Sequence, residues 1–330
     1  MSEERKRVLV IMNPVSGQGD AEQQRGLIEA HLDAAGASYD IRETQKAGDA
    51  FSWASEAEGR DLVIASGGDG TIMEVMSGLV KNKLSIPLAQ LPAGTANLLA
   101  RALDIPIDTL GALELALTGA EVPMDVGYLP DHERYFALVA GVGWGAEMID
   151  DASRALKDRF GFLAYVFTGV KNLFQLKRSF IELDIDGQRH TFRAHTVMIV
   201  NVGEIGEGVI KLGEGISPHD GQLNLAIAAP NTSSGLLRLA YRLATRQFHN
   251  YRDLHYFQGS KVKLTARPPL KLEIDGEVIG HTPLTAVIVP NGALLVVPPK
   301  YAEGKGLSKA FVPKAATPAP AATTPEGHYN

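Results

Sequence analysis

A chain of 330 residues with 45% hydrophobic side chains is long enough to bury two packed cores. Its formal charge of −6 argues against neutralising a phosphate backbone, so no nucleic-acid partner is expected. The absence of cysteine excludes disulfides, thiolate nucleophiles and Cys-ligated zinc, and agrees with a reducing cytosol.

Short apolar strands alternate with helical stretches in the first part. Val8 to Met12 leads to a helix near 20–35, Tyr39 to Arg42 is a weaker strand, and Leu62 to Ala65 and Leu88 to Leu91 follow. Strands buried on both faces and separated by crossover helices imply a parallel sheet, so the first 127 residues are read as an α/β domain. Beyond Asp125 the rhythm changes to short alternating strands: Ile181 to Ile185, Val197 to Val202, Leu223 to Ala228, Val262 to Thr265, Leu270 to Ile274, Ala286 to Val289 and Leu294 to Val297. Turn signals at Asp186-Gly187, Asp220-Gly221, Asp275-Gly276 and Asn291-Gly292 separate many of them, and an antiparallel sandwich or barrel-like domain is expected over 128–300. Two helical stretches, near 153–177 and 234–247, interrupt it. Residues 301–330 lack large apolar clusters and read as a disordered tail. The N-terminus offers no apolar signal core, and the longest apolar run, Phe160 to Phe174, is interrupted by Lys171 and two glycines. A cytoplasmic protein with at most peripheral membrane contact is expected.

Three loops that follow strands share one chemistry: Asn13-Pro14-Val15-Ser16-Gly17, Ser66-Gly67-Gly68-Asp69-Gly70-Thr71 and Pro92-Ala93-Gly94-Thr95-Ala96-Asn97. The C-terminal ends of parallel strands lie along one edge, so the loops can converge, and glycine-lined backbone N–H groups there suit a nucleotide phosphate. The plainer alternative is that Thr71 and Glu74 form a capping box and the glycines serve only the turn. No Gly-x-x-x-x-Gly-Lys-Ser/Thr stretch is present; Gly141-Val142-Gly143-Trp144-Gly145-Ala146 formally matches a dinucleotide pattern but lacks the acid about 20 residues on. Asp275-Gly276-Glu277 is either an acidic pair or a hairpin turn like Asp186-Gly187-Gln188. Asp220, within Ser217-Pro218-His219-Asp220-Gly221-Gln222, can gather backbone carbonyls around a hard cation or mark a plain turn, with His219 read as a solvated turn histidine.

Together with Thr44, Gly48-Asp49-Ala50 and Asp125-Val126-Gly127, these motifs from Val8 to about Pro298 resemble the soluble diacylglycerol kinase and sphingosine kinase family of lipid kinases, bacterial type. The resemblance implies an N-terminal nucleotide-binding α/β domain, a C-terminal antiparallel β-sandwich-like domain and a catalytic cleft between them. It implies ATP held by Asn13, Pro14, Ser16, Gly17, Thr44, Gly67, Gly68, Asp69, Gly70, Thr71, Glu74 and Thr95. It places a catalytic magnesium at Asp69 and Asp125, and a structural one at Asp220 with Ser217 and Gln222. Asp275 and Glu277 match the acids that take the proton of a lipid hydroxyl, with Glu277 the first choice. The acceptor is diacylglycerol or a related long-chain alcohol such as a sphingoid base. One departure stands out: Leu98 follows Asn97 where bacterial diacylglycerol kinases often carry an acid. An NAD kinase-like small-molecule kinase and a non-catalytic nucleotide or lipid sensor are the alternatives. Arg154, Lys157, Arg159, Lys171, Lys177 and Arg178 around the apolar 160–174 run suit an anionic membrane surface, although the pattern alone favours a core helix with snorkelling cations. A homodimer is an open assembly.

Overall fold

The computed structural model describes residues 6–16, 21–143, 178–205, 210–211, 213–244, 251 and 253–307. Gly17, the helical stretch near 153–177 with its basic residues up to Lys177, and residues 308–330 lie outside the described residues.

The N-terminal lobe is a set of parallel strands with crossover helices. Strands β1 (Arg7–Met12), β2 (Ser38–Glu43), β3 (Leu62–Gly67) and β4 (Pro87–Pro92) run parallel in the order β2-β1-β3-β4. Their apolar runs are covered on both faces, which is why β1 and β3 are buried almost end to end. The helices are α1 (Ala21–Ala34), α2 (Asp49–Ser55), α3 (Asp69–Lys81), α4 (Leu98–Ala102) and α5 (Thr109–Thr118). In α3 the apolar positions Ile72, Val75, Met76, Leu79 and Val80 form one buried stripe. Gly78 lets that helix touch α2: a Cβ there would lie 2.5 Å from the Phe51 carbonyl oxygen and 2.9 Å from the Ala54 Cβ.

The remaining strands are β5 (Ala120–Leu129), β6 (Arg134–Phe136), β7 (Val139–Gly143), β8 (Ser179–Ile185), β9 (Gln188–Ala194), β10 (Thr196–Val200), β11 (Glu204–Ile205), β12 (Ile210–Lys211), β13 (Leu223–Ala228), β14 (Leu254–Gly259), β15 (Lys261–Arg267), β16 (Lys271–Ile274), β17 (Glu277–His281) and β18 (Leu284–Val297). Between them lies α6 (Ser233–Ala244), and α7 (Pro299–Gly304) follows β18. A six-stranded antiparallel sheet, β14-β13-β10-β7-β16-β17, packs against the β18-β15-β8-β9 end of the first sheet.

The lobes share a strand. β18 runs parallel to β4 through Leu294 and Leu295 and antiparallel to β5 and β15. Its end, Ala293 to Val297, is in the N-terminal core, while Leu284 and Ala286 are in the sandwich core. Asn291-Gly292 is therefore not a hairpin between two strands as its sequence signals; it lies in an irregular step of one strand, with Asn291 at φ +51°. Tyr301 and Ala302, expected to lie in a tail, are instead buried in α7 against the N-terminal core. The formal dinucleotide pattern places Gly141 and Gly143 within β7, in a strand rather than a strand-to-helix turn.

Candidate functional site

Four loops are stitched along the edge formed by the strand C-termini. Thr44 N–H donates to the Met12 carbonyl at 2.8 Å, Asn13 N–H to Ser66 at 2.8 Å, and Ala93 N–H to Gly67 at 2.8 Å. The Asn13 amide also donates to the Thr71 hydroxyl at 3.2 Å. A Cβ on Gly94 would sit 2.7 Å from the Gly68 Cα, so the second and third loops meet backbone to backbone. Asn97, at φ +48°, closes the third loop by accepting from Gly94 N–H at 2.9 Å and donating to its carbonyl at 2.8 Å. Thr95 is exposed at the tip, and Pro14 and Ser16 are half-buried.

Gly68 is the residue before α3 and makes no side-chain cap, so the Thr71–Glu74 capping box does not form. Glu74 instead accepts the Gly48 N–H with both oxygens, at 3.1 and 3.0 Å, and ties the Gly48 turn (φ +89°) to α3. α3 starts directly after the C-terminal end of β3, so its first turn, where a helix has N–H groups without intrahelical partners, lies at the loop edge. Asp69 sits half-buried beside them, accepting from Leu99 N–H at 3.3 Å, and burial raises its pKa despite the backbone donors of Leu99, Leu98 and Asn97.

The C-terminal lobe carries the other two acids, Asp275 and Glu277. Asp275 and Gly276, at φ +44° and +91°, form the hairpin turn between β16 and β17, as Asp186 and Gly187 do between β8 and β9. The two turns differ in where the carboxylate goes. Asp275 faces inward and accepts three backbone N–H bonds, from Ala137 at 2.7 Å and from Leu138 and Val139 at 2.9 Å. Burial nevertheless pushes its pKa up to about 6, and the negative charge of Asp69 contributes to the rise. Glu277 points outward, with 68% of its side chain exposed, and pairs with Arg134 at 3.0 Å.

Asp125 is a buried junction. Its carboxylate accepts from Gly221 N–H at 2.6 Å and Asn291 N–H at 2.8 Å, and its own N–H donates to the Pro218 carbonyl at 2.8 Å. Asn201 donates its amide to the carbonyls of Asp125 and Ala137, both at 2.8 Å, linking β5 to the segment that holds Asp275. In the Ser217–Gln222 loop, Asp220 accepts from Gln222 N–H at 2.9 Å. Burial raises the pKa of Asp220, and the nearby Asp125 charge adds to the rise. His219 is not a solvated turn histidine: its Nδ1 is 2.7 Å from the Pro123 carbonyl and its ring lies against Tyr301.

Among the described residues no three His, Cys, Asp or Glu side chains converge as a ready-made metal cage. The donor set suits magnesium in its usual form, one or two carboxylates completed by water, backbone carbonyls and phosphate oxygens, and the Asp125–Asp220 repulsion is of the kind a divalent cation relieves. Glu273, which the sequence did not single out, is 7% exposed beside Asp275 on β16. No helix among the described residues is long and apolar enough to cross a membrane.

Glycine loops on a parallel-sheet edge and an inward-turned acid in an antiparallel lobe suit a phosphotransferase, and comparisons with known proteins place the chain among the lipid kinases. Residues 7–129 match the diacylglycerol kinase catalytic domain, and residues 138–297 match the YegS C-terminal NAD kinase beta sandwich-like domain. The chain is 32% identical over 301 residues to a diacylglycerol kinase of Bacillus subtilis, covering 90% of this chain and 98% of that one. It is also 32% identical over 307 residues to an uncharacterized protein of Synechocystis sp., covering 88% of this chain and 70% of the relative. A crystal structure of a diacylglycerol kinase from Bacillus anthracis shares the fold, with a TM-score of 0.71 at 22% identity over 91% of this chain and all of that one. The chain belongs to the diacylglycerol kinase family and is a lipid kinase.

Proposed function

We propose that this lipid kinase transfers the γ-phosphoryl group of ATP to a hydroxyl of diacylglycerol or a related long-chain alcohol. The observation that carries the reading is that the inward-turned Asp275 is held by the backbone of Ala137, Leu138 and Val139, a segment that itself packs on the core of the glycine-loop lobe. In this reading, residues 1–127 form the nucleotide lobe and 128–300 the acceptor lobe. ATP lies on Asn13, Pro14, Ser16, Thr44, Gly67, Gly68, Asp69, Gly70, Thr71 and Thr95, with Gly17 continuing the first loop and Glu74 holding the Gly48 turn in place.

Phosphoryl transfer demands positioning, charge neutralisation and a proton acceptor. The acceptor hydroxyl gives its proton to Asp275, its oxygen forms the new bond to the γ-phosphorus, and the bond to the bridging oxygen breaks with its electron pair leaving on ADP. The family resemblance favours Glu277 as base, but burial and proton affinity support Asp275: a base works best where burial has raised its proton affinity, and Glu277 is exposed and paired with Arg134. Asp69 and Asp125 would hold a catalytic magnesium through water, and Asp220 with the Ser217 and Gln222 backbone a structural one. When bound, the catalytic ion supplies positive charge against the phosphate oxygens. Peripheral contact with an anionic membrane is proposed for the basic and apolar 154–178 stretch.

The test is a transfer assay with γ-labelled ATP and magnesium, offering diacylglycerol micelles, a sphingoid base and NAD in parallel. Label in the lipid phase with diacylglycerol is expected. Label on NAD alone, or tight ATP binding with no transfer to any alcohol, contradicts the proposal.

A further inference from the structure

Glu273 breaks the alternation of its strand. Its neighbours Leu272 and Ile274 point into the sandwich core, so the Glu273 side chain leaves the opposite face of the six-stranded sheet, yet it is 93% buried there by its 7% exposure. The register places Glu273 opposite Gly141, Gly141 opposite Met198, Met198 opposite Ala226, and Ala226 opposite Tyr256. Directly paired residues share a face, so a row that is half-buried at Tyr256, Ala226 and Met198 and buried at Gly141 runs across the sheet to the acid, with only Val278 of the edge strand beyond it. The acid lies over Gly141: a Cβ there would be 2.8 Å from the Glu273 Oε1. The Glu273 Oε2 is buried with no hydrogen-bond partner among the described residues.

A buried carboxyl oxygen without a partner costs stability unless a ligand completes it. Asp275 raises the Glu273 pKa further beyond the effect of burial, which carries it to about 7, so the group holds its proton far more readily than a surface acid. In its protonated form it is a hydrogen-bond donor two residues from the proposed base, where the row meets the acid. We propose that Glu273 is a specificity-determining residue for the acceptor, donating a hydrogen bond to the ester carbonyl adjacent to the reacting hydroxyl of a glyceride. The inference rests on the lipid-kinase reading of the cleft and deepens it. A glyceride fits both ends, with its acyl chains along the Met198 and Ala226 row and its ester beside the acid.

The experiment compares a short-chain diacylglycerol with the dialkylglycerol of equal chain length, which keeps the hydroxyl but replaces the ester carbonyl by an ether. Wild type, Glu273→Leu, Glu273→Gln and Gly141→Ala are assayed for kcat/KM on both, with unfolding midpoints recorded. Glu273→Leu is expected to lose about tenfold on the diester, the size of one lost hydrogen bond from a buried group, and less than about twofold on the diether. Glu273→Gln, whose amide still donates, restores most of the diester activity. Gly141→Ala, which displaces the carboxyl without removing it, repeats the Leu pattern and serves as the test if the Leu variant does not fold. Equal losses on diester and diether would overturn the inference, as would a Gln variant as poor as Leu. A preference of the wild type for an amino alcohol that Glu273→Leu abolishes would overturn it too. If the wild type phosphorylates neither glyceride, the lipid-kinase reading fails instead.

Discussion

Glu273 makes a thermodynamic prediction that needs no substrate. In the unfolded chain it ionises around its ordinary 4.5, whereas in the folded protein burial delays ionisation to about 7. Between these values the folded state holds a proton that the unfolded state has released, so wild-type stability falls as pH rises through the window and then levels off. A displacement from 4.5 to about 7 corresponds to about 3 kcal/mol. Glutamine has the same shape and no such proton. Glu273→Gln should therefore gain on the wild type by about 3 kcal/mol between roughly pH 4 and pH 8, with most of the gain accrued between the two pKa values. Denaturant titrations of both proteins across that range measure the difference directly, and the similar contribution of Asp275 largely cancels. A difference that stays constant within about 0.5 kcal/mol, or that falls as pH rises, would refute the reasoning, because Glu273 would then be ionised and satisfied in the folded state.

The remaining predictions concern catalysis and packing. With Asp275 as the proposed base and its proton affinity raised to about 6, the acid limb of the rate profile should fall off below about pH 6. A limb near the ordinary carboxylate range, measured as kcat/KM against pH, would contradict that role. Gly78→Ala should lower stability by roughly 1–3 kcal/mol, since its Cβ meets the Phe51 carbonyl and Ala54 in the α2–α3 contact. An unchanged unfolding midpoint would show that the helices separate without cost.

Much of the fold was legible where one physical signal dominated. The apolar runs that become β1, β3 and β4 are buried on both faces, and nothing else in the chain competes with them. The polar β9 was not visible, because its residues face solvent over most of their length and show little apolar signal. β18 was misread as two strands because Asn291-Gly292 is a strong turn signal locally. The Asn291 N–H is instead taken by Asp125, 166 positions earlier, and the chain continues into the parallel sheet. The same limit applies at the site. The glycine loops announce themselves, but whether Asp275 or Glu277 turns inward is decided by the N–H groups of Ala137, Leu138 and Val139. Glu273 carries no sequence signal of its own, and only the register sets it across from Gly141.

The central claim is that the inward-turned acid of the second lobe, and not the exposed one, takes the hydroxyl proton of the acceptor. Single-turnover transfer from labelled ATP to diacylglycerol, with Asp275→Asn and Glu277→Gln compared at saturating nucleotide, tests it most directly. The account predicts that Asp275→Asn loses about 10²- to 10⁴-fold with ATP affinity preserved, while Glu277→Gln stays within about tenfold of wild type. Near-normal transfer by Asp275→Asn, with the loss falling on Glu277→Gln, would contradict it.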